Sequence, residues 1–323
     1  MKNIAVFTSG GDAPGMNAAI RAVVRSAIFY GKAIYGIQQG YYGMINNTIN
    51  EMNARSVSSI INRGGTILKS ARSEEFKTDS GMAKAFHNIK QKNIDAIVAI
   101  GGDGTFRGAD AFSKKYEIPI VGIPGTIDND LAGTDFTLGF DTSTNTAMRL
   151  IDTIRDTATS HNRLFFIEVM GRDTGYIAVR SALASGAEAA LIPEKTSDIK
   201  ELCESLMDGA KRKKSSSIVV VAEGDEAGGA FAIAEKVRTQ FPDYEIKVTV
   251  LGHLQRGGSP TCFDRELGSR LGVAAIEGLL NGHKNEMLGI VNNELRYTAF
   301  GELHHSTKGI NEELIRINKI LSI

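Results

Sequence analysis

Two glycine-rich turns carry the strongest chemical signal in this sequence. Ser9-Gly10-Gly11-Asp12 and Gly101-Gly102-Asp103-Gly104 each follow a short apolar run and precede a segment of helical periodicity. A glycine turn that opens a helix leaves backbone N–H groups free at the positive end of the helix dipole, an arrangement that holds phosphate. One such turn is more simply a tight βα connection in which glycine supplies a positive φ. Two in one chain, the second with an embedded acid, favour phosphate. Neither turn is followed by the Gly-Lys-Ser/Thr of a P-loop, and neither gives a dinucleotide fingerprint. Asp103 is a hard carboxylate inside the second turn, the kind of group that holds Mg²⁺ together with phosphate oxygens. The plainer role for it is an Asx-turn within its own loop.

Other polar clusters fall at the ends of apolar runs. Pro124-Gly125-Thr126-Ile127-Asp128-Asn129-Asp130 sets two acids two residues apart. One of them can abstract a proton while the other orients a hydroxyl or a metal-bound water. Phosphoryl transfer needs such a residue, because the rest of its catalysis is positioning and charge neutralisation. Met170-Gly171-Arg172, Glu223 and His253-Leu254-Gln255-Arg256 complete the set. Arg72, Arg163, Arg172 and Arg256 lie outside amphipathic surface faces and offer planar forks for phosphate. Taken singly, each cluster reads as a turn or as solvated surface. Together at strand ends they make a site, since open parallel sheets bind ligands beyond the carboxyl ends of their strands. Arg21 and Arg25, at i and i+4 on one helix face, carry a like-charge cost of about 0.2–0.5 kcal/mol that a bound anion would relieve, and a solvated surface accounts for the pair nearly as well. The run Lys211-Arg212-Lys213-Lys214 reads by itself as a cap for a helix dipole.

The elements that must position these residues repeat one pattern: an apolar β-branched run, a glycine turn, a helix. Strand-like runs at 4–8, 96–100, 118–123, 164–170, 217–222, 247–251 and 288–291 are apolar throughout, as expected for strands buried on both faces of a parallel sheet. Amphipathic helices are expected from about Gly15 to Tyr30 and from Thr142 to about Thr159. This alternation predicts a doubly wound α/β fold, and 323 residues suit two such domains with a boundary near residue 140. Lysine plus arginine and aspartate plus glutamate number 37 each, so a basic footprint for nucleic acid is not expected. No apolar run is long enough to span a bilayer. The first residues read as a strand rather than a signal peptide, and Cys203 and Cys262 as reduced thiols, so a cytoplasmic protein is expected.

These residues closely resemble the bacterial ATP-dependent 6-phosphofructokinases, along nearly the whole chain to about residue 295. The most specific pieces are 8–17 (Thr-Ser-Gly-Gly-Asp-Ala-Pro-Gly-Met-Asn), 101–105, 124–130, 170–172 and 252–260 (Gly-His-Leu-Gln-Arg-Gly-Gly-Ser-Pro). The resemblance implies two doubly wound Rossmann-like domains with mostly parallel central sheets and an active site in the cleft between them. Residues 1–138 plus about 252–302 would bind nucleotide, and 139–251 plus about 303–323 the sugar phosphate. It implies transfer of the γ-phosphoryl group of ATP to the 1-hydroxyl of fructose 6-phosphate, with Asp128 as base alongside Thr126 and Arg172. Gly11, Arg72, Ser73, Gly102, Gly104 and Thr105 would bind ATP, with Asp103 on Mg²⁺. Thr126, Ile127, Asp128, Asp130, Met170, Gly171, Arg172, Glu223, His253, Leu254, Gln255 and Arg256 would hold the sugar phosphate or the migrating group. Arg163 and Lys247 would reach it from a neighbouring subunit, which implies a homotetramer.

Small residues at Gly104 and Gly125 favour ATP, because the pyrophosphate-dependent relatives typically carry Asp and Lys there. Lys247 stands where the bacterial pattern has arginine, and Ser73 departs from the usual nucleotide-pocket residue. The resemblance also implies an effector pocket for ADP and phosphoenolpyruvate, with Arg21, Arg25, Arg55, Arg155, Gly186, Glu188, Arg212 and Lys214 at or beside its positions. Ala54 and Ser59 replace a usual arginine and a usual aspartate, so weak or altered regulation is expected. Gly-Gly-Asp-Gly-Thr also resembles the motif of NAD and lipid kinases, which lack the segments at 124–130 and 253–260. A catalytically dead metabolite sensor is disfavoured because Asp103, Asp128 and Arg172 are all present.

Overall fold

A computed structural model describes residues 1–159, 163–196, 198–211, 217–240, 245–303 and 308–322. In chain order the first half contains β1 (Asn3–Thr8), α1 (Met16–Phe29), β2 (Ala33–Ile37), α2 (Gly40–Ile45), β3 (Ile49–Met52), α3 (Asp79–Gln91), β4 (Ala96–Gly101), α4 (Asp103–Tyr116), β5 (Ile120–Pro124) and α5 (Phe140–Thr159). There follow β6 (Leu164–Val169), α6 (Tyr176–Ser185), β7 (Ala189–Leu191), α7 (Ile199–Lys211), β8 (Ser217–Ala222), α8 (Gly229–Arg238) and β9 (Ile246–Val250). The chain ends with α9 (Cys262–Leu280), β10 (Glu286–Val291), β11 (Glu294–Ala299), α10 (Phe300–Leu303) and α11 (Glu312–Leu321). Short 3₁₀ turns lie at Glu75–Lys77 and Gly252–Arg256. The chain divides into two compact units: Met1–Thr142 with Arg256–Lys308, and Ser143–Gln255 with Gly309–Ile323.

In the first unit seven strands form one sheet in the order β11-β10-β5-β4-β1-β2-β3. The five inner strands are parallel, while β3 and β11 close the edges antiparallel. Every residue of β4 is buried, as the uninterrupted apolar run requires. Thr8 pairs with Ile100 and Gly101 with Pro124, so the carboxyl ends of β1, β4 and β5 are level. The chain leaves β1 toward β2 and leaves β4 toward β5, in opposite directions along the sheet. That reversal is where such a sheet opens a crevice for ligands.

On one face of this sheet the core is aromatic: Phe7, Tyr41, Phe76, Phe106, Phe112 and Phe300 are buried together. Each such ring contributes roughly 1.5–3 kcal/mol by leaving water. The Tyr41 hydroxyl donates to the Thr105 carbonyl at 2.5 Å, which ties the core to the first turn of α4.

The second unit is a four-stranded parallel sheet, β7-β8-β6-β9. Phe166, Val219, Val221, Leu202, Leu206 and Ile233 pack between this sheet and its helices. Both units are therefore α/β with mostly parallel sheets, as the sequence pattern predicts. The expectation of strands buried on both faces fails at β9. It is an edge strand, with Lys247 exposed and Val250 47% exposed. β3 and β11 mix polar and apolar residues for the same reason, since one side of an edge strand meets solvent. Among the described residues no helix is long and apolar enough to cross a membrane.

A buried carboxylate fixes the start of α5 within the first unit. Asp264, in the first turn of α9, accepts from Gly139 N at 2.9 Å, Thr142 N at 2.8 Å and Thr142 Oγ1 at 2.5 Å. Burial outweighs these bonds and pushes its pKa up to about 6. Asp264→Ala would strand two buried N–H groups, each at about 1–3 kcal/mol, so a loss of several kcal/mol in urea unfolding is expected. A carboxyl raised in the folded state stabilises fully below the unfolded value of 3.8, and that stabilisation fades as pH climbs through about 6. The stability gap between wild type and Asp264→Ala should accordingly be wider at pH 4.5 than at pH 7.5.

Candidate active site

The two glycine turns of the first unit stand side by side at the carboxyl ends of β1 and β4. Ser9 N donates to the Ile100 carbonyl at 3.0 Å, joining them. A Cβ at Gly101 would collide with Thr105 Oγ1 and come within 2.6 Å of the Ser9 carbonyl, so only glycine permits this approach. The Thr105 hydroxyl is buried between the turns and has no hydrogen-bond partner among the described residues. A buried hydroxyl of this kind can accept a partner from outside the chain, a water or a ligand oxygen. α4 starts at Asp103 behind an N-cap glycine, Gly102, and α1 behind another, Gly15, so neither has a side-chain cap on its first N–H groups. Uncapped helix starts of this kind are what the expectation of phosphate at these turns requires.

Gly104 has open space around it, with nothing within 4 Å of where a Cβ would stand. Glycine there packs against no neighbour. Gly125 differs, since a Cβ there would meet Met16 Cε at 3.0 Å and Ile100 Cγ2 at 3.1 Å. The Asp103 carboxylate is forked by Arg107, with Nε at 3.1 Å and Nη2 at 3.0 Å. This half-exposed i,i+4 pair is worth only about 0.3–0.5 kcal/mol, so a metal ion can displace the arginine cheaply.

Asp128 sits in a buried loop just past β5. Its backbone N–H donates to Thr126 Oγ1 at 3.2 Å, and that hydroxyl lies 3.2 Å from Asp128 Oδ2. The loop is fastened by two residues the sequence reading did not single out. Asn129, at φ +54°, donates to the Asp135 carbonyl at 3.2 Å and accepts from Thr137 N at 2.9 Å. Thr137 Oγ1 donates to the Thr126 carbonyl at 2.6 Å. Asn129 thus turns inward, leaving Asp128 and Asp130 on either side of it. Ile127 is fully buried, so only its backbone can meet a ligand. Thr126 Cβ lies 3.7 Å from the Cβ position of Gly102, which sets this loop against the second glycine turn.

Arg256 belongs to this unit too. Its Nη1 donates to the Asp12 carbonyl at 3.0 Å, and a Cβ on Gly11 would approach that nitrogen to 2.6 Å. Gly11 and Arg256, expected to serve nucleotide and sugar phosphate respectively, are therefore in contact. Arg72 is exposed, and Ser73 Oγ accepts from Phe76 N at 3.3 Å, a local turn contact.

In the second unit the carboxyl ends of β6, β8 and β9 gather another set. Glu223 Oε1 accepts from Gly171 N at 3.3 Å and Arg172 N at 2.8 Å. This latches the turn in which Arg172 adopts φ +56° with its side chain 64% exposed. Gln255 is fully buried, accepting from Met170 N at 2.8 Å and donating to Ser143 Oγ at 3.3 Å. Its amide acts on Met170 from behind, while His253 and Leu254 on the same 3₁₀ turn are exposed. At the opposite edge of this sheet, the amino ends of β6 and β9, Arg163 and Lys247 flank one carboxylate: Arg163 Nε is 2.6 Å from Glu245 Oε2, and Lys247 Nζ is 2.7 Å from Oε1. The two cations hold the Glu245 pKa down to about 2. Glu245 was not anticipated, because only the sheet register brings position 245 beside position 163.

The expected effector residues that are described are divided between the two units. Arg21, Arg25 and Arg55 are on the first, half-buried or exposed. On the second, Arg155 Nη2 donates to the Ser185 and Gly186 carbonyls at 2.6 and 3.2 Å, capping the end of α6. Glu188 follows two residues after Gly186, with its N–H on the Ile218 carbonyl. Arg212 and Lys214 lie outside the described residues.

The sequence pattern described as Phosphofructokinase matches residues 3–279. The chain is 51% identical over 323 residues to ATP-dependent 6-phosphofructokinase 2 of Bacteroides thetaiotaomicron, covering all of this chain and 99% of that one. It is 54% identical over 322 residues to ATP-dependent 6-phosphofructokinase of Cytophaga hutchinsonii, covering 100% and 98%. The solved structure of phosphofructokinase from Saccharomyces cerevisiae superposes with a TM-score of 0.91 at 32% identity over all of this chain, which spans 48% of the yeast chain. Full-length identity at this level, added to the paired glycine turns and the fastened Asp128 loop, leaves one conclusion: the chain belongs to the phosphofructokinase family.

Proposed function

We propose that this chain transfers the γ-phosphoryl group of ATP to the 1-hydroxyl of fructose 6-phosphate, with Asp128 as the base. The observation that carries this reading is the contact of the Asp128 loop with the second glycine turn, through Thr126 and Gly102. It brings a buried carboxylate beside two turns suited to a polyphosphate. Asp128 takes the proton of the attacking hydroxyl, and Thr126 orients that carboxylate. The turn amides and the Thr105 hydroxyl receive phosphate oxygens. In this reading the first unit carries the nucleotide, and Arg172, Glu223, His253 and the cations Arg163 and Lys247 of the second serve the sugar phosphate.

A divalent ion, taken to be Mg²⁺, would neutralise the phosphate charge. Asp103 fits that role, since Mg²⁺ keeps several waters and takes one or two carboxylates alongside phosphate oxygens. The open space at Gly104 leaves room for the rest of a nucleoside triphosphate, which supports ATP over pyrophosphate. A cytoplasmic homotetramer, with Arg163 and Lys247 reaching a neighbour's substrate, is part of the proposal. So is an effector site weakened at Ala54 and Ser59, both exposed here.

Asp128→Asn should depress kcat by about 10²–10⁴-fold while leaving KM for ATP near normal; undiminished turnover would remove it as the base. A coupled assay should show turnover with ATP and none with pyrophosphate. Lys247→Arg, which adds a bidentate fork, should lower KM for fructose 6-phosphate. Phosphoenolpyruvate should inhibit only weakly; steep sigmoidal inhibition would show the effector site to be intact.

A further inference from the structure

We infer that Glu245 is an internal stand-in for the sugar phosphate: its carboxylate occupies Arg163 and Lys247, and the substrate binds by displacing it. The inference rests on the proposal that these two cations hold that phosphate. Each oxygen of Glu245 engages one cation, at 2.6 and 2.7 Å, so the carboxylate bridges the pair much as two oxygens of a phosphate ester would. The bridge also has backbone support. The Glu245 carbonyl accepts from Leu164 N at 3.2 Å, next to Arg163, and β6 and β9 run in parallel register from Leu164 and Ile246 onward.

The balance of charge makes the exchange feasible. All three side chains keep solvent contact, with Arg163 at 25% exposure and both Glu245 and Lys247 at 47%, so the bridge is weak and reversible. A phosphate ester brings about −1.5 to −2 charges and three terminal oxygens against one charge and two oxygens. It outcompetes the carboxylate, whereas an uncharged sugar or a weakly held monoanion does not. Glu245 would then lower absolute affinity and raise the selectivity for a dianionic substrate, a repulsive element set against the wrong ligand.

The test is steady-state kinetics of the full-length enzyme at saturating ATP, varying fructose 6-phosphate. Glu245→Gln keeps the shape and removes the charge. It should lower KM for fructose 6-phosphate about three- to tenfold at low ionic strength with kcat retained, and added salt should shrink the difference. Glu245→Ala should move KM in the same direction. An unchanged or raised KM in both variants would overturn the inference, a rise meaning that Glu245 merely props the cations. Arg163→Ala and Lys247→Ala provide the separating control. If wild type turns over but neither alanine variant raises KM, the assignment of the two cations fails and the inference falls with it. If both raise KM and only the Glu245 variants are silent, the inference alone fails and the functional reading stands.

Discussion

The constraint on which the first unit depends is the register of three parallel strands. Pairing of Thr8 with Ile100 and of Gly101 with Pro124 makes β1, β4 and β5 end at one level. Everything polar that matters there hangs just beyond that edge: both glycine turns, Asp103 and the Asp128 loop. A strand slipped by one residue would reverse its buried and exposed faces, and β4 has no polar face to offer. Chemistry at this edge is therefore locked to the core beneath it. The Tyr41 hydroxyl on the Thr105 carbonyl is one visible link between the two.

In each unit the turns are held by side chains whose bonds go to the backbone. Asn129 and Thr137 fasten the Asp128 loop from inside. Asp264 gathers three donors at the start of α5. In the second unit Glu223 and Gln255 are spent largely on backbone N–H groups of residues 170–172. Side-chain oxygens aimed at backbone amides make the turns rigid before any ligand arrives, and rigidity of this kind is what a reaction dominated by positioning requires.

What could be read from the sequence was what glycine and charge announce locally. The turns at 10–12 and 101–104 and the acids at 128 and 130 are contiguous motifs, and the runs that became β1, β4, β6 and β8 are unbroken apolar stretches. The edge strands were harder, because β3 and β11 mix polar and apolar residues and β7 is only three residues long. Long-range partners were beyond reach altogether. Nothing near position 245 says that it meets 163, and nothing near 264 says that it caps a helix beginning at 140. Asn129 did leave a trace, an amide between two acids, but its inward turn depends on Thr137 eight residues later. Its motif associates Arg256 with the sugar phosphate, and only the folded chain shows it lying over Gly11.

Gly104 and Gly125 look alike as letters and differ in what they leave open to evolutionary change. Over Gly104 the space is vacant, so a side chain can be acquired there without disturbing a single neighbour. At Gly125 a newcomer would first have to push aside the end of Met16 and the flank of Ile100. A side chain at 104 would thus be free of steric cost, whereas one at 125 would ask Met16 and Ile100 to yield slightly.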